Sequence, residues 1–462
     1  MKKYLSFFML VLLSLCLKAR DRDTPIRGFA KHVILISIDG MHPDMYLDQS
    51  WPTPNLKYLM QRGAYADHML SVFPAYTYPS HTAMLTGALP ARSKIVFNQP
   101  IGDKSGNWNW EAKYIKAPTI WQILKKNGLT SAAVMWPGSV GADITYNLSE
   151  IWDPVHPDDR ATEVRRHSAP AGLYEEIEQN ATGKLDSNNM NDNYFSLDEN
   201  AGRMAAYIFK KYKPNFLALH FATVDGYEHE YGRDADSVRL AVEVNDRAIG
   251  DVLQAIEQSG LKDSTAVIIV GDHGFSNINQ IFRPNILIRN VPAKFIAAGG
   301  SAFLYRYSGI KRTDVAGIIQ AVTDSLNKLP ADKRNLFRIV DRKELDQMGA
   351  DSSAILALAA QPGLVFSGGV KAGAAVNNGP GTSIQQNSLA GVFVPTKGGH
   401  HGYDPNIPDM YTGFIAEGAG IIKGGHIHEL RVTDIAPLIA KLLGIEFNTP
   451  DGKMVDGIVS SD

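Results

Sequence analysis

The stretch "HVILISIDG", His32 to Gly40, decides the fold. Six of its first seven residues are apolar or small, and the run closes on an acid and a glycine. The alternation of a strand with one wet face is missing, so both faces must be covered, as in a parallel sheet between helix layers. "SAAVMWPG", "NFLALHFATVDG" and "STAVIIVGDHG" repeat the form: a short apolar run, then a turn carrying polar residues. Helical patterns stand between them, over Pro54 to Gln61, Thr119 to Lys126, Glu199 to Lys211 and Val238 to Gln258. This alternation predicts an α/β fold, a doubly wound and mostly parallel sheet. Ligands of such sheets bind beyond the carboxyl ends of the strands.

Two regions break the rhythm. Ala161 to Asn193 is polar and rich in Asn, Asp and Glu, and reads as a loop or an excursion over the surface. Phe282 to Pro395 contains the tract "GLVFSGGVKAGAAVNNGPGTSIQQNS", loop-like in composition. It reads as an inserted cap or subdomain within a catalytic region spanning residues 21–462. There are no internal repeats.

The 462 residues are 44% hydrophobic, ample for a large core. A net charge of −2 supplies no basic stripe for a nucleic-acid polymer, which leaves small charged ligands as the expected partners. The N-terminus, "MKKYLSFFMLVLLSLCLKAR", has a basic start and an apolar run too short to span a bilayer comfortably. Residues 1–20 therefore read as a signal peptide, giving an exported, periplasmic or secreted protein with no membrane span after processing. Cys16 is the only cysteine, so the mature chain is expected to be free of disulfides. Cys16 could alternatively carry a lipid anchor, although Leu15 is larger than the small residue usual before such a cysteine.

Acids and histidines gather at the predicted strand ends. Asp39 follows the first strand; Asp225 follows another, with His229 four residues on; Asp272 and His273 follow a third; His400 and His401 stand in "KGGHHGYDP". Asp39-Gly40 alone would be an ordinary turn, and Asp225 with His229 a surface pair. A carboxylate at the dry end of a parallel strand is costly unless paired or metal-bound, and three such ends together point to a metal site. Asp and His without thiol suit Zn²⁺, with Mn²⁺ or Fe as alternatives. Within "SVFPAYTYPSHTAMLTG", Ser71 to Gly87, Pro79 suits the first turn of a helix and Gly87 its end, which sets Thr77 at the helix mouth. A hydroxyl there can cap the helix or act as a nucleophile.

These pieces resemble the alkaline phosphatase superfamily, and within it the type I phosphodiesterase/nucleotide pyrophosphatase family. The match runs through "ISIDG", "FPAYTYPSHTAMLTG", "IVFN", "TIWQILKKNGLTSAAVMWPGS", "VDGYEHEYG", "GDHGF" and "HHGYDPNIPDM" to the C-terminal "VTDIAPLIAKLLGI". The resemblance implies two zinc ions. Asp39, Thr77, Asp272 and His273 would hold one, and Asp225, His229 and His401 the other. It implies that Thr77 is a zinc-activated nucleophile passing through a covalent phospho-enzyme, that Asn98 binds the phosphoryl group, and that Tyr78 holds the place of an aromatic that stacks on a nucleobase. It places His81 in no metal site, so His81 is read as structural. The substrate implied is a small phosphorylated molecule such as a nucleotide.

The chain departs from the family at His220, where many members have Tyr, and in "GALPARSKIVFN", which lacks the usual His-Gly before Ile95. A phosphomonoesterase or phosphonate hydrolase on the same site is the alternative. One monoesterase lineage adds a Lys-x-Arg pair about sixty residues past the Asn. Here "DDRATEVRR" offers Arg160, Arg165 and Arg166 in what reads as a solvated loop, which favours a diester. A catalytically dead binding module would have lost a ligand, and all seven are present.

Overall fold

A computed structural model describes residues 28–191, 193–370, 389 and 391–460. The segment read as a signal peptide, with Cys16, lies outside these residues, as do residues 371–388 of the loop-like tract. No helix among the described residues is long and apolar enough to cross a membrane.

The centre is an eight-stranded sheet. Its strands include β1 (His32–Ile38), β2 (Ala64–Leu70), β3 (Ser131–Val134), β4 (Tyr146–Leu148), β5 (Phe216–Phe221) and β6 (Thr265–Gly271), together with Phe414–Gly418 and Gly425–Arg431. The order across the sheet is Gly425–Arg431, β2, Phe414–Gly418, β6, β1, β5, β3, β4. Phe414–Gly418 runs antiparallel to β2 and β6; the other pairings are parallel. β1 sits in the middle and is buried along its whole length, which is why its sequence lacks alternation. Helices cover both faces. Ser196–Tyr212 and Asp236–Gln258 pack on one with Ile34, Ile36 and Leu217. Thr77–Thr86 and Ile435–Leu443 pack on the other with Val33, Leu35 and Ile268. The doubly wound, mostly parallel architecture is therefore the one the strand–helix alternation predicts.

The polar region from Ala161 to Asn193 is not a loop. It contains the helices Arg160–His167 and Leu173–Ile177, and the first is capped by Asp159, whose carboxylate accepts the Thr162 N–H. Val164, Leu173, Tyr174 and Ile177 turn inward and join the core, while polar residues such as Glu175, Asn180 and Asn188 are exposed. Within Phe282 to Pro395, Ala293–Ala298, Ser301–Arg306, Phe337–Val340 and Leu356–Ala360 form a separate antiparallel sheet, covered by the helix Val315–Asn327. Gly363–Phe366, at the head of the supposedly loop-like tract, is a strand paired with Ser276–Phe282.

Candidate active site

The carboxyl ends of β1, β5 and β6 and the head of the helix Thr77–Thr86 meet at one point. Asp39 leaves β1 and Gly40 turns the chain at φ +79°, where a side chain would also strike the Glu228 carboxylate. Asp272 and His273 leave β6. Asp225 and His229 lie one turn apart on the helix Thr223–Tyr231, so they share a face. Asp198 anchors the start of that helix: it is buried and accepts the N–H groups of Ala222 and Thr223, each at 3.0 Å, and the Asn245 amide at 2.8 Å.

Thr77 is the first residue of its helix and is not a cap. Tyr76 holds the cap position without a side-chain bond, and Gly87 closes the helix in the left-handed region. The Thr77 hydroxyl lies 3.4 Å from His273 Nε2. That nitrogen is 3.2 Å from Asp39 Oδ1 and 3.2 Å from Asp272 Oδ2. His229 Nε2 and His401 Nε2 each stand 3.5 Å from Asp225 Oδ1, and the His273 and His401 rings stack at 3.7 Å. All seven predicted ligands, Thr77 among them, are thus brought together.

The hydrogen-bond pattern fits a cation. Nδ1 of His273, His229 and His401 faces the carbonyl oxygens of Gly274, Gly399 and Ala75, at 3.3, 3.1 and 2.9 Å. A carbonyl only accepts, so each Nδ1 carries the proton and each Nε2 presents a lone pair. Asp39 Oδ1 and Asp272 Oδ2 are buried without a hydrogen-bond partner. Acceptors therefore face acceptors across Asp39, Asp272 and His273, and again across Asp225, His273 and His401, close enough to share an ion. Burial, with Asp272 and Asp225 nearby, raises Asp39 well above the carboxylate range, and burial pushes Asp272 up to about 7. Burial likewise holds His273 and His401 neutral, the state a metal ligand requires.

Asn98 stands beside Thr77. Its Oδ1 accepts the Tyr78 N–H at 3.0 Å, so its NH₂ is left for an incoming oxygen. His81 lies behind the site, with Nδ1 donating to the Thr77 carbonyl at 2.8 Å. His220 is also buried and touches Asp39 Oδ2 at 3.2 Å; only its departure from Tyr marked it in the sequence.

A cavity of about 440 Å³ opens over Asp39, Thr77 and Asn98. Tyr78 does not line it. Its ring lies beneath, edge-on to Trp108, with its hydroxyl donated to Glu150 at 2.7 Å. Trp108 and Trp152 supply the aromatic wall, with ring centroids 4.9 Å apart. Arg160 is not in a solvated loop. It is 5% exposed, stacks on Trp152 at 4.4 Å and stands 3.7 Å from Glu150 at the cavity wall, whereas Arg165 and Arg166 face solvent and pair with glutamates. The two tryptophans lie in segments without strand or metal-ligand patterning, so nothing in their sequence tied them to the site; Arg160 was in view as a cation by its distance from Asn98, but its polar surroundings read as a solvated loop.

The family model for "Type I phosphodiesterase / nucleotide pyrophosphatase" matches residues 33–404. Among curated proteins, mouse bis(5'-adenosyl)-triphosphatase enpp4 is 24% identical over 92% of this chain and 80% of its own length. Human ectonucleotide pyrophosphatase/phosphodiesterase family member 5 is 22% identical over 95% of this chain and 80% of its own length. The structure of human ENPP5 superposes with a TM-score of 0.64 at 20% identity, covering 91% of this chain and 97% of the other. An inactive variant of murine ENPP5 in complex with AMP gives a TM-score of 0.63 at 19% identity, covering 92% and 97%. With a family match running from β1 through the loop that holds His401, the chain belongs to the type I phosphodiesterase/nucleotide pyrophosphatase family.

Proposed function

We propose that the protein is an exported hydrolase of phosphodiester and pyrophosphate bonds that uses Thr77 as its nucleophile and two divalent cations, zinc in the first place. The observation that carries this reading is the meeting of Thr77 Oγ1 with His273 Nε2, Asp39 and Asp272 at a helix mouth, with the Asn98 amide alongside. Asp39, Thr77, Asp272 and His273 would hold one ion; Asp225, His229 and His401 the other. Divalent cations in these places supply a lower pKa for the threonine hydroxyl and a field that draws charge from the phosphoryl and leaving oxygens. The Thr77 oxygen bonds to phosphorus as the bond to the leaving oxygen breaks, and water then cleaves the threonine ester. Asn98 donates to a phosphoryl oxygen, aided by the helix end.

The 440 Å³ cavity walled by Trp108 and Trp152 suits an aromatic, neutral arm such as a nucleoside, and the AMP bound by the ENPP5 variant supports that choice. Arg160 speaks for the alternative, a monoester, because it places a cation at this wall; Glu150 stands 3.7 Å from it and offsets its charge. Export rests on the pattern of residues 1–20, and we read residues 282–395 as an inserted subdomain. The test is turnover by purified, zinc-loaded protein of an aryl diester, a nucleotide pyrophosphate and an aryl monoester, with metal content measured in parallel. No turnover of either diester or pyrophosphate would refute the reading.

A further inference from the structure

Among the histidines gathered at the site, His400 is built the other way round. Nδ1 of His229, His273 and His401 gives its proton to a carbonyl oxygen, which leaves Nε2 as a lone pair. In His400, Nδ1 accepts the backbone N–H of His401 at 3.0 Å. A nitrogen that accepts carries no proton, so the proton of the neutral ring is on Nε2. His400 therefore presents a donor where its neighbours present acceptors. Although a nitrogen of its ring lies within 4.8 Å of nitrogens of His229 and His401, this tautomer is the wrong one for a further metal ligand.

The ring is held in place. His400 ends the short strand Gly399–His400, which pairs with Ser276 and Asn277. It meets the His229 ring edge-on, with centroids 4.7 Å apart. Gly299, at φ +57°, lies against it, and a side chain there would come within 2.6 Å of His400 Nδ1. His400 Nε2 has no hydrogen-bond partner among the described residues. The ring lines a second cavity, of about 470 Å³, which shares Asn98, Trp108, His229 and His401 with the first. A seated donor without a partner, in a cavity wall, is available to a ligand.

Position decides which oxygen it can meet. The Thr77 hydroxyl lies by His273, whereas His400 stands against His229 and His401, the pair that faces Asp225. In an in-line displacement the bond that breaks lies opposite the bond that forms. We propose that His400 is a catalytic residue whose Nε2–H donates a hydrogen bond to the oxygen that leaves phosphorus. The inference rests on the hydrolase reading above and adds a residue to it. As the Thr77 oxygen bonds to phosphorus, the electron pair of the breaking P–O bond moves onto the leaving oxygen. The hydrogen bond strengthens as that charge grows, and the proton stays on Nε2. A donor of this kind favours the transition state over the bound substrate. Its effect is larger for a more basic leaving oxygen, which gains more from a hydrogen bond.

The test uses methyl aryl phosphates that differ only in the phenol released, from p-nitrophenol to phenol. For zinc-loaded wild type and His400→Phe, which keeps a flat ring without nitrogen, log kcat/KM is plotted against the pKa of the phenol. His400→Phe should lose about tenfold on the phenyl ester, the effect of one hydrogen bond to a charged group, and about twofold on the p-nitrophenyl ester, so its slope should be steeper. Its zinc content should equal that of the wild type. If His400→Phe does not fold, His400→Ala carries the same comparison. An equal fall on all the esters, with the slope unchanged, marks a structural role and overturns the proposal. So does an unchanged kcat/KM for the phenyl ester, or a loss of zinc from the variant, which would make His400 a ligand. A wild type that cleaves no ester of the series refutes the hydrolase reading, and this proposal with it.

Discussion

Asn98 Oδ1 accepts the backbone N–H of Tyr78 at 3.0 Å, so one side chain both ties down the helix mouth and is forced to aim its NH₂ away from it. The two functions separate by substitution. Asn98→Asp keeps an acceptor for the Tyr78 N–H but loses the donors and adds a negative charge beside the phosphoryl group. Its kcat should fall about 10²- to 10³-fold, the range for loss of a single transition-state donor, with little change in thermal midpoint. Equal kcat in the variant and the wild type would remove Asn98 from phosphoryl binding.

Thr77 offers a similar contrast. Thr77→Ser retains the hydroxyl at the head of the helix and should keep substantial turnover. Thr77→Ala removes the attacking oxygen and should abolish nearly all of it, while circular dichroism and unfolding stay close to wild type, because no cap bond is lost. Quenching should trap a labelled phosphoryl ester, on threonine in the wild type and on serine in Thr77→Ser, and should trap none with Thr77→Ala. Near-normal turnover by Thr77→Ala would rule out covalent catalysis at this residue.

The metal reading is tested by chelation. Removal of divalent ions should abolish activity and lower the thermal midpoint, since Asp39 Oδ1 and Asp272 Oδ2 are then left buried without a partner. Zn²⁺ should restore both. Asp272→Asn and His401→Ala should lose bound metal and rate together. Elemental analysis of active protein that found no divalent ion would defeat the assignment.

How legible this was depended on where each residue sits. Asp39, Asp225, Asp272 and the histidines stand at the ends of buried strands or in short motifs, where an acid interrupts an apolar run and is conspicuous. Gly40 follows from the same turn. The burial of Arg160 was hidden because its helix buries only one stripe, Val164 and its neighbours, and the polar remainder has the composition of a loop. Trp108 and Trp152 lie far apart in sequence and outside any periodic element, so only the folded chain shows that they face each other. Tyr78 illustrates the reverse error. Its place beside Thr77 suggested a stacking wall, but in a helix successive side chains point to different faces, and that of Tyr78 points down to Glu150.

Asp198 is expected to matter without touching substrate. Its carboxylate gathers four donors, from Ala222, Thr223 and Asn245, and thereby fixes the entry to the helix that carries Asp225 and His229. Asp198→Ala leaves these buried donors unmatched and should cost about 3 kcal/mol or more of stability. Asp198→Asn keeps an acceptor and should fold better. Both should weaken binding of the ion that Asp225, His229 and His401 would hold, read as a higher zinc concentration for half-maximal activity. An unshifted zinc requirement in a folded Asp198→Asn protein would show that the anchor serves the fold alone.

The last prediction concerns diesters against monoesters. A diester presents one negative charge and one further organic group; a monoester presents about two charges near neutral pH and no such group. The structure supplies a cavity for an organic group, walled by Trp108 and Trp152. It supplies one extra cation, Arg160, at that wall, with Glu150 3.7 Å away. The predicted order of kcat/KM is therefore aryl diester and nucleotide pyrophosphate above aryl monoester. Trp152→Ala removes part of the wall and the surface on which Arg160 stacks, so it should lower diester turnover about tenfold and monoester turnover less, since only the diester has a group to place there. Tyr78→Ala should act differently: its ring packs beneath the cavity, so the loss should appear in stability and should not discriminate between the two substrates. Arg160→Gln resolves the remaining ambiguity. If Arg160 serves the wall, both substrates should slow together. A selective loss of monoester turnover, or a wild type that prefers the monoester, would instead identify Arg160 as the cation for a dianionic phosphate and make the protein a monoesterase, with the threonine mechanism retained.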